Sequence, residues 1–427
     1  MEEVEAQEER AVLFGPIYPG SVFKDEQVLD ELGRLVESAG GLPVGRVVQS
    51  IRSPHAATFF GSGKIETLRQ TILETGADIA VFDEELTPAQ ARNIERIIKT
   101  RVVDRSELIL DIFANRARST QAKLQVELAQ LQYKLPRLKR MWTHLDRIKS
   151  AIGARGPGET QIETDRRLIR LKIQQYTQKL KHLTEVQHRT IRNRSDFKVS
   201  LVGYTNAGKS TLMRALTGSD VYVADQLFAT LDTTTRKLKI NDIGTCLLSD
   251  TVGFVSKLPH HLVSSFHATL SEAMEADLLL HVLDASDPQI GEHFNTVQHV
   301  LEQIQCSDLP SIVVANKCDL EGSPAGLKYL ETICPDFISV SATEKKGLDQ
   351  LINMISHDMT NDWEEYELFI PYKNGDLISK IKTLTQVLKE EAKDNGMAFK
   401  IETSSTHYIN LNLAEFDMNP KEKEPLY

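Results

Sequence analysis

Apolar positions change their spacing several times along this chain. From residue 11 to 115, short apolar runs alternate with amphipathic stretches. "AVLFGPIY", "GRVVQSI" and "ADIAVFD" read as strands, whereas "FKDEQVLDELGRLVESAG", "KIETLRQTILETG" and "TPAQARNIERIIKT" carry helical spacing. Thr87 stands as N-cap and Pro88 at the first helical position of the last of these. A small α/β domain over 1–115 is expected.

From about 119 to 195 the period becomes helical throughout. Leu124, Leu128, Leu131, Leu135, Leu138 and Leu145 fall at helical steps, and Ile169, Ile173, Tyr176, Leu180 and Leu183 repeat the pattern. Between them "SAIGARGPGETQIET" holds three glycines and a proline, where neither helix continues. The spacing predicts two antiparallel helices over 116–197 joined by a glycine-rich basic loop, the first kinked at Pro136.

At Lys198 the strand–helix alternation resumes and runs to about 360, through "KVSLVG", "GTCLLSD", "ADLLLHVLD", "PSIVVANK" and "DFISVSA". Several of these runs end in glycine or polar residues, where α/β folds place ligand loops. The remainder, 361–427, reads as a small α+β domain: a strand at "ELFIPY", a helix over "LISKIKTLTQVLKEEAKDNG", then "AFKIET" and "YINLNLAEF".

The strand ends carry the chemistry. "GYTNAGKST" satisfies G-x-x-x-x-G-K-[ST] directly after a strand and before a helix. Gly203 and Gly208 let backbone N–H groups turn onto phosphates, with Tyr204, Thr205, Asn206, Ala207 and Thr211 completing the cradle. Lys209 supplies a point charge to the β- and γ-phosphates, and the Ser210 hydroxyl suits Mg²⁺. In "DTVGF", Asp250 is placed to reach Mg²⁺ through water, Thr251 and Val252 follow, and the Gly253 N–H can meet a γ-phosphate. "NKCD" sets Asn316, Lys317, Cys318 and Asp319 after a buried strand. Asp319 can accept from both guanine N1–H and the exocyclic amine, a pair that adenine does not offer. "SAT" (Ser341, Ala342, Thr343) puts an N–H where guanine O6 would lie. In "LFATLDTTTR", Thr230, Thr233, Thr234 and Thr235 are all available as a second magnesium ligand. Phe254 stands where a water-orienting glutamine is familiar, and it has no hydrogen-bonding group. "GSGK" at Gly61 to Lys64 lacks the serine or threonine and the earlier glycine of a phosphate loop, and fits a plain turn before a helix.

Charge modifies this picture in one place. The net charge is −10, yet residues 116–198 hold 20 Lys/Arg against 7 Asp/Glu, a local +13 within an otherwise acidic chain. Such a segment fits either one polyanion-facing module or a solvated helical face with compensating neighbours, because the sum alone does not put the charge on one face. Four cysteines (Cys246, Cys306, Cys318, Cys334) without a C-x-x-C pair argue against a zinc site or disulfide framework. No apolar run approaches the roughly 18 residues of a membrane span, and the acidic "MEEVEAQEER" has no secretory apolar region. A cytoplasmic protein is expected, with peripheral membrane association left open.

These motifs resemble the HflX family of ribosome-associated GTPases, and the resemblance covers essentially 11–427. The family-specific stretches are "KLQVELAQLQY", "GARGPGETQIETDRRLI", "VGYTNAGKSTL", "DQLFATLDTTTR", "DTVGFVSKLPH" and "NKCDL". The "GPGETQ…TDRR" string lies outside the generic GTPase motifs and so discriminates best. One departure is "LDTTTR", where many members have proline after the aspartate. The resemblance implies an α/β fold in which a small α/β domain and a helical hairpin precede a P-loop GTPase domain, followed by a small α+β domain. It implies slow intrinsic GTP hydrolysis stimulated by the ribosome, and binding to the large ribosomal subunit and its rRNA to rescue or split stalled ribosomes. The protein would be a monomer off the ribosome. Arg155, Arg166 and Arg167 would face the RNA. Likeness to Obg-type GTPases favours Thr230 as the magnesium-binding threonine, so that Lys209, Thr230 and Gly253 serve catalysis and Ser210 and Thr230 hold the metal. Phe228, Ala229, Leu231 and Asp232 would line the same loop. Asn206 resembles the asparagine of potassium-activated GTPases, which makes K⁺ a second candidate ion; the alternative is that Asn206 only caps the loop. Two other classes compete. One is a nucleotide-dependent, helicase-like factor remodelling rRNA, since family members have been linked to ATP use through the N-terminal region. The other is a GTP-regulated tRNA-modifying subunit, disfavoured because no reactive cysteine or folate motif stands out.

Overall fold

The computed structural model describes residues 8–418 apart from 22, 24, 142–156, 193–196, 219–226, 229–232, 241–242 and 258–270. The chain divides into two compact units. The first comprises 1–187 with 223–232 and 252–271; the second comprises 188–222, 233–251 and 272–427.

In the first unit the elements follow in order as β1 (Arg10–Ile17), α1 (Asp30–Ser38), β2 (Leu42–Ser50), α2 (Ser62–Thr75), β3 (Ile79–Phe82), α3 (Pro88–Ile98), β4 (Arg101–Asp104), α4 (Arg105–Arg116) and α5 (Thr120–Met141). The long helix α6 (Pro157–Arg192) comes next. The sheet is parallel, in the order β2-β1-β3-β4. Val12, Phe14, Ala80 and Phe82 bury one face against Leu68 and Ile72 of α2 and Ile94 of α3. Alternation sends Leu13 and Val81, also fully buried, to the opposite face. Helix α3 begins at a capping box in which the Gln90 N–H donates to Thr87 Oγ1 and the Thr87 N–H donates to Gln90 Oε1. The "GSGK" stretch forms the first turn of α2, with Gly61 as its N-cap. Helix α5 continues through Pro136 to Met141. The glycine-rich loop, including Arg155, lies outside the described residues.

The second unit contains β5 (Lys198–Gly203), α7 (Lys209–Thr217), β6 (Thr234–Ile240), β7 (Gly244–Asp250), α8 (Ser271–Met274), β8 (Leu278–Asp284), α9 (Ile290–Gln303), β9 (Ser311–Asn316), α10 (Ser323–Ile333), β10 (Phe337–Ser339) and α11 (Leu348–Thr360). Its sheet runs β10-β9-β8-β5-β7-β6, parallel except for β6 at the edge. Val199, Leu201, Leu280, Val282 and Val314 pack with Leu212, Met213, Leu351 and Ile355 on one side. Leu283, Val313 and Ala315 pack with Ile290 and Leu330 on the other. Edge strand β6 is announced by no apolar run, because "TTRKLKI" alternates and buries only Leu238 and Ile240.

The tail corrects one expectation. The helix expected over 377–396 stops at Leu384: α12 spans Gly375–Leu384 and is followed by strand β12 (Gln386–Lys393). β-Branched Thr383, Thr385 and Val387 favour extended backbone. The Thr385 N–H and hydroxyl both donate to the Ile381 carbonyl, which closes the helix. A turn at 394–395 then folds β12 onto β13 (Gly396–Ser404), and β13 also pairs antiparallel with β11 (Trp363–Pro371). A short helix α13 (Ser405–Asn410) follows.

His281 lies in the middle of β8, opposite Val202 of β5 and Val313 of β9, and is 1% exposed. It stacks on Phe294 at 5.2 Å, and the Gln298 amide nitrogen lies 3.5 Å from its Nδ1. Burial first, and then the Lys209 charge, push its pKa down to about 3. The folded state therefore keeps this imidazole neutral, while the unfolded chain protonates it below about pH 6.5. Stability should fall as pH drops through that window towards 3. Guanidinium unfolding of wild type and His281→Leu at pH 7 and pH 5 is the check. The wild type should lose about 2 kcal/mol relative to the variant between the two pH values, and parallel losses would refute the assignment.

Candidate nucleotide-binding site

Three loops at the carboxyl end of the six-stranded sheet hold most of the sequence-predicted residues. The first joins β5 to α7. Gly203 lies so close to β8 that a Cβ there would sit 2.2 Å from the Val282 carbonyl oxygen. Gly208 has φ +90°, and a Cβ on it would meet Asn316 Nδ2 at 2.3 Å. Both positions accept only glycine, one through close approach and one also through its left-handed backbone. Asn206 also has positive φ, at 61°. Thr205 and Ala207 are buried, and Tyr204 stacks on His293 at 3.7 Å.

Lys209 is buried, and its ammonium donates to the carbonyls of Gly203 (3.0 Å) and Tyr204 (2.8 Å). An ammonium has three donors, so the curled side chain keeps one to offer an anion. Burial outweighs the attraction of Asp250 and pushes its pKa down to about 8. Ser210, in the first turn of α7 beside the half-buried Thr211, donates to Asp250 Oδ2 at 2.5 Å. A hydroxyl and a carboxylate so joined are the hard oxygen donors that Mg²⁺ takes, so the residues present fit that ion. Thr251 donates to the Leu201 carbonyl at 2.7 Å, fixing the end of β7.

The second loop follows β9. Buried Asn316 donates from Nδ2 to the Ala207 carbonyl (3.0 Å), and its Oδ1 accepts from the Ala342 N–H (3.1 Å). Lys317 has φ +62° and pairs with Asp284 at 2.7 Å. The Cys318 carbonyl accepts from Ser323, while Asp319 stays exposed. The third loop, Ser341 to Thr343, follows β10. Ser341 is fully buried and its Oγ accepts from the Glu344 N–H.

Residues 223–232 and 252–271 belong to the other compact unit, where Val252 and Phe254 are buried and Phe228 is 2% exposed. Ala229, Thr230, Leu231 and Asp232 fall outside the described residues. Thr233 and Thr235 both donate to Glu272, at 2.9 and 3.4 Å, and Thr235 also pairs with Ser249; Thr234 is the first residue of β6. Sequence reasoning missed Asp284, which holds Lys317, and His293, which backs Tyr204. Asp284 was within reach, since it ends an apolar strand as Asp250 does.

A doubly wound sheet with a glycine-framed phosphate loop after its first strand and an Asn-Lys-x-Asp loop after β9 defines a P-loop GTPase fold. Comparison with known proteins extends this. Residues 26–114 match the model described as GTP-binding GTPase N-terminal, 116–194 match GTP-binding GTPase Middle Region, and 198–317 match 50S ribosome-binding GTPase. GTPase HflX of Escherichia coli (strain K12) is 45% identical over 377 residues, covering 87% of this chain and 88% of that protein. GTPase HflX of Caldanaerobacter subterraneus subsp. tengcongensis is 42% identical over 410 residues, covering 95% and 93%. The namesake from Flavobacterium psychrophilum is 52% identical over 297 residues, covering 69% and 72%. The chain belongs to the HflX family of GTPases.

Asn316→Ala tests the coupling of the three loops. It removes two buried hydrogen bonds and leaves the Ala207 carbonyl and the Ala342 N–H without this partner, which costs about 2–4 kcal/mol. The expected outcome is a lowered unfolding midpoint together with a loss of GDP affinity of at least tenfold. Wild-type affinity would show that the bridge does not organise the site.

Proposed function

We propose that this chain binds GTP at these loops, hydrolyses it slowly, and uses the cycle on the large ribosomal subunit to rescue or split stalled ribosomes. The observation that carries the nucleotide assignment is the Asn316 bridge. It brings the base-reading loops and the phosphate cradle to one end of one sheet. Gly203 to Thr211 would wrap the phosphates, Lys209 would bind the β- and γ-oxygens, and Asp319 would read guanine while Lys317 covers the ring. Ser210 would hold Mg²⁺ directly, with Thr230 as the second protein ligand and Asp250 acting through water. The ion would neutralise phosphate charge and align the γ-phosphoryl group. Gly253 would offer its N–H to the γ-phosphate. Asn206 would hold K⁺ beside the phosphates.

The ribosomal part rests on the family and on α6. From 163 to 183 this helix buries only Leu180 among the described positions, and it presents Arg166, Arg167, Arg170, Lys172, Lys179 and Lys181. A helix exposed along most of this stretch, in the segment of local charge +13, suits an RNA backbone as partner. Among the described residues no helix is long and apolar enough to cross a membrane. We take the protein to act in the cytoplasm as a monomer off the ribosome.

Two measurements test the proposal. Asp319→Asn loses a charged acceptor for guanine N1–H and the amine, so GTP affinity should drop about ten- to a hundred-fold while xanthosine triphosphate binding improves. Unchanged GTP selectivity would displace the base site. Co-sedimentation with purified ribosomal subunits should place the chain on the large subunit with a non-hydrolysable GTP analogue and release it with GDP. Binding to neither subunit in either state would overturn the ribosomal role.

A further inference from the structure

The phosphate-loop pattern specifies its glycines, its lysine and its final hydroxyl, and it leaves Tyr204 to Ala207 open. The structure shows how this open stretch is held. Tyr204 stacks on His293 at 3.7 Å with the ring planes 14° apart. Asn206 takes a left-handed φ of 61°, and the Ala207 carbonyl accepts from Asn316. Thr205 stands between residues fixed in this way and is itself 6% exposed.

The Thr205 hydroxyl is out of keeping with its surroundings. Oγ1 is buried and has no hydrogen-bond partner among the described residues. Thr58, Thr251 and Thr385 are also buried, and each donates to a main-chain carbonyl at 2.7 Å. Thr403 is the other exception, but it lies within β13 of a different sheet. A buried hydroxyl without a partner forfeits its hydration and gains nothing in return. The neighbouring carbonyls already serve other donors. That of Gly203 accepts from Lys209, that of Tyr204 from Lys209 and from the Ala207 N–H, and that of Ala207 from Asn316.

The Lys209 ammonium indicates where an acceptor would come from. It lies 2.8 Å from the carbonyl of the peptide that joins Tyr204 to Thr205, so the cation stands beside Thr205. The oxygens that such a lysine serves are those of the β- and γ-phosphates. The N-terminus of α7 serves the inner phosphates through its N–H groups, which leaves the outermost one for Thr205. We propose that Thr205 senses the third phosphate, its hydroxyl donating to a γ-phosphoryl oxygen of GTP. This contact rests on the nucleotide reading given above and adds to it a side chain by which the loop separates GTP from GDP. A charged acceptor makes the bond a strong one. GDP has no oxygen at that place, so the hydroxyl stays unpaired in the product state and the loop favours GTP.

The test takes the full-length chain as Thr205→Val, which keeps the branched shape and deletes the hydroxyl, and as Thr205→Ser, which keeps the hydroxyl. The Kd for a non-hydrolysable GTP analogue, divided by the Kd for GDP, should rise about tenfold or more in Thr205→Val. In Thr205→Ser this ratio should stay close to wild type. Nucleotide-free Thr205→Val should unfold at the same denaturant concentration as wild type or at a higher one, because valine removes an unpaired polar group from the interior. A threonine needed only for structure would do the reverse, lowering the midpoint and leaving the ratio alone. An unchanged ratio, an equal loss of both nucleotides or a lowered midpoint in Thr205→Val would each overturn the γ-phosphate contact. Wild type that bound neither guanine nucleotide would overturn the GTP reading itself, and this contact with it.

Discussion

A single buried carboxamide sets the geometry on which the nucleotide site depends. Asn316 accepts from one loop and donates to another, with hydrogen bonds of 3.1 and 3.0 Å, and it leaves β9 at the point where the Asn-Lys-x-Asp loop begins. Its bulk is why Gly208 has no room for a side chain, and Gly208 is in turn the N-cap of α7. The helix N-terminus, the lysine that follows it and the serine beside Asp250 are therefore positioned by one residue of the base-reading loop. The loops proposed to hold phosphate and base thus share one fastening.

Such contiguity explains what was legible in the sequence. A phosphate cradle needs successive N–H groups from one turn, so its residues must be neighbours in the chain, and "GYTNAGKST" could be read directly. The Asp250, Asn316 and Ser341 motifs were legible because each follows an apolar run at a strand end. The capped start of α3 was equally visible at Thr87 and Pro88. Edge strand β6 and strand β12 were not. Both pair on one side only and carry alternating charge, so their apolar signal is halved, and in β12 lysine and glutamate mimic a solvated helix.

The charged cluster of the N-terminal domain, in which Arg105 pairs with Asp83 and Glu31 and donates to Ser256 Oγ, was illegible for a different reason. Glu31, Asp83 and Arg105 come from distant parts of the chain, none in a motif, and each looks like ordinary surface polarity alone, while Ser256 stands in "DTVGFVSKLPH" with nothing there to mark its partners. Only the topology of the sheet, which brings the carboxyl ends of β1 and β3 together, makes them neighbours. "GSGK", the one phosphate-like string in that domain, forms the start of α2 and contributes no residue to the charged cluster.

These two centres bear on the chemistry of a GTPase that lacks a glutamine after its DTVG motif. Phe254 is 2% exposed, and an apolar ring that buried cannot orient a water by hydrogen bonding. Its contribution is to packing, and two residues later the chain is fastened by Arg105 and Glu31. On the function proposed above, hydrolysis would wait for the backbone around Gly253 to be ordered for the γ-phosphate, since Phe254 offers no hydrogen-bonding side chain.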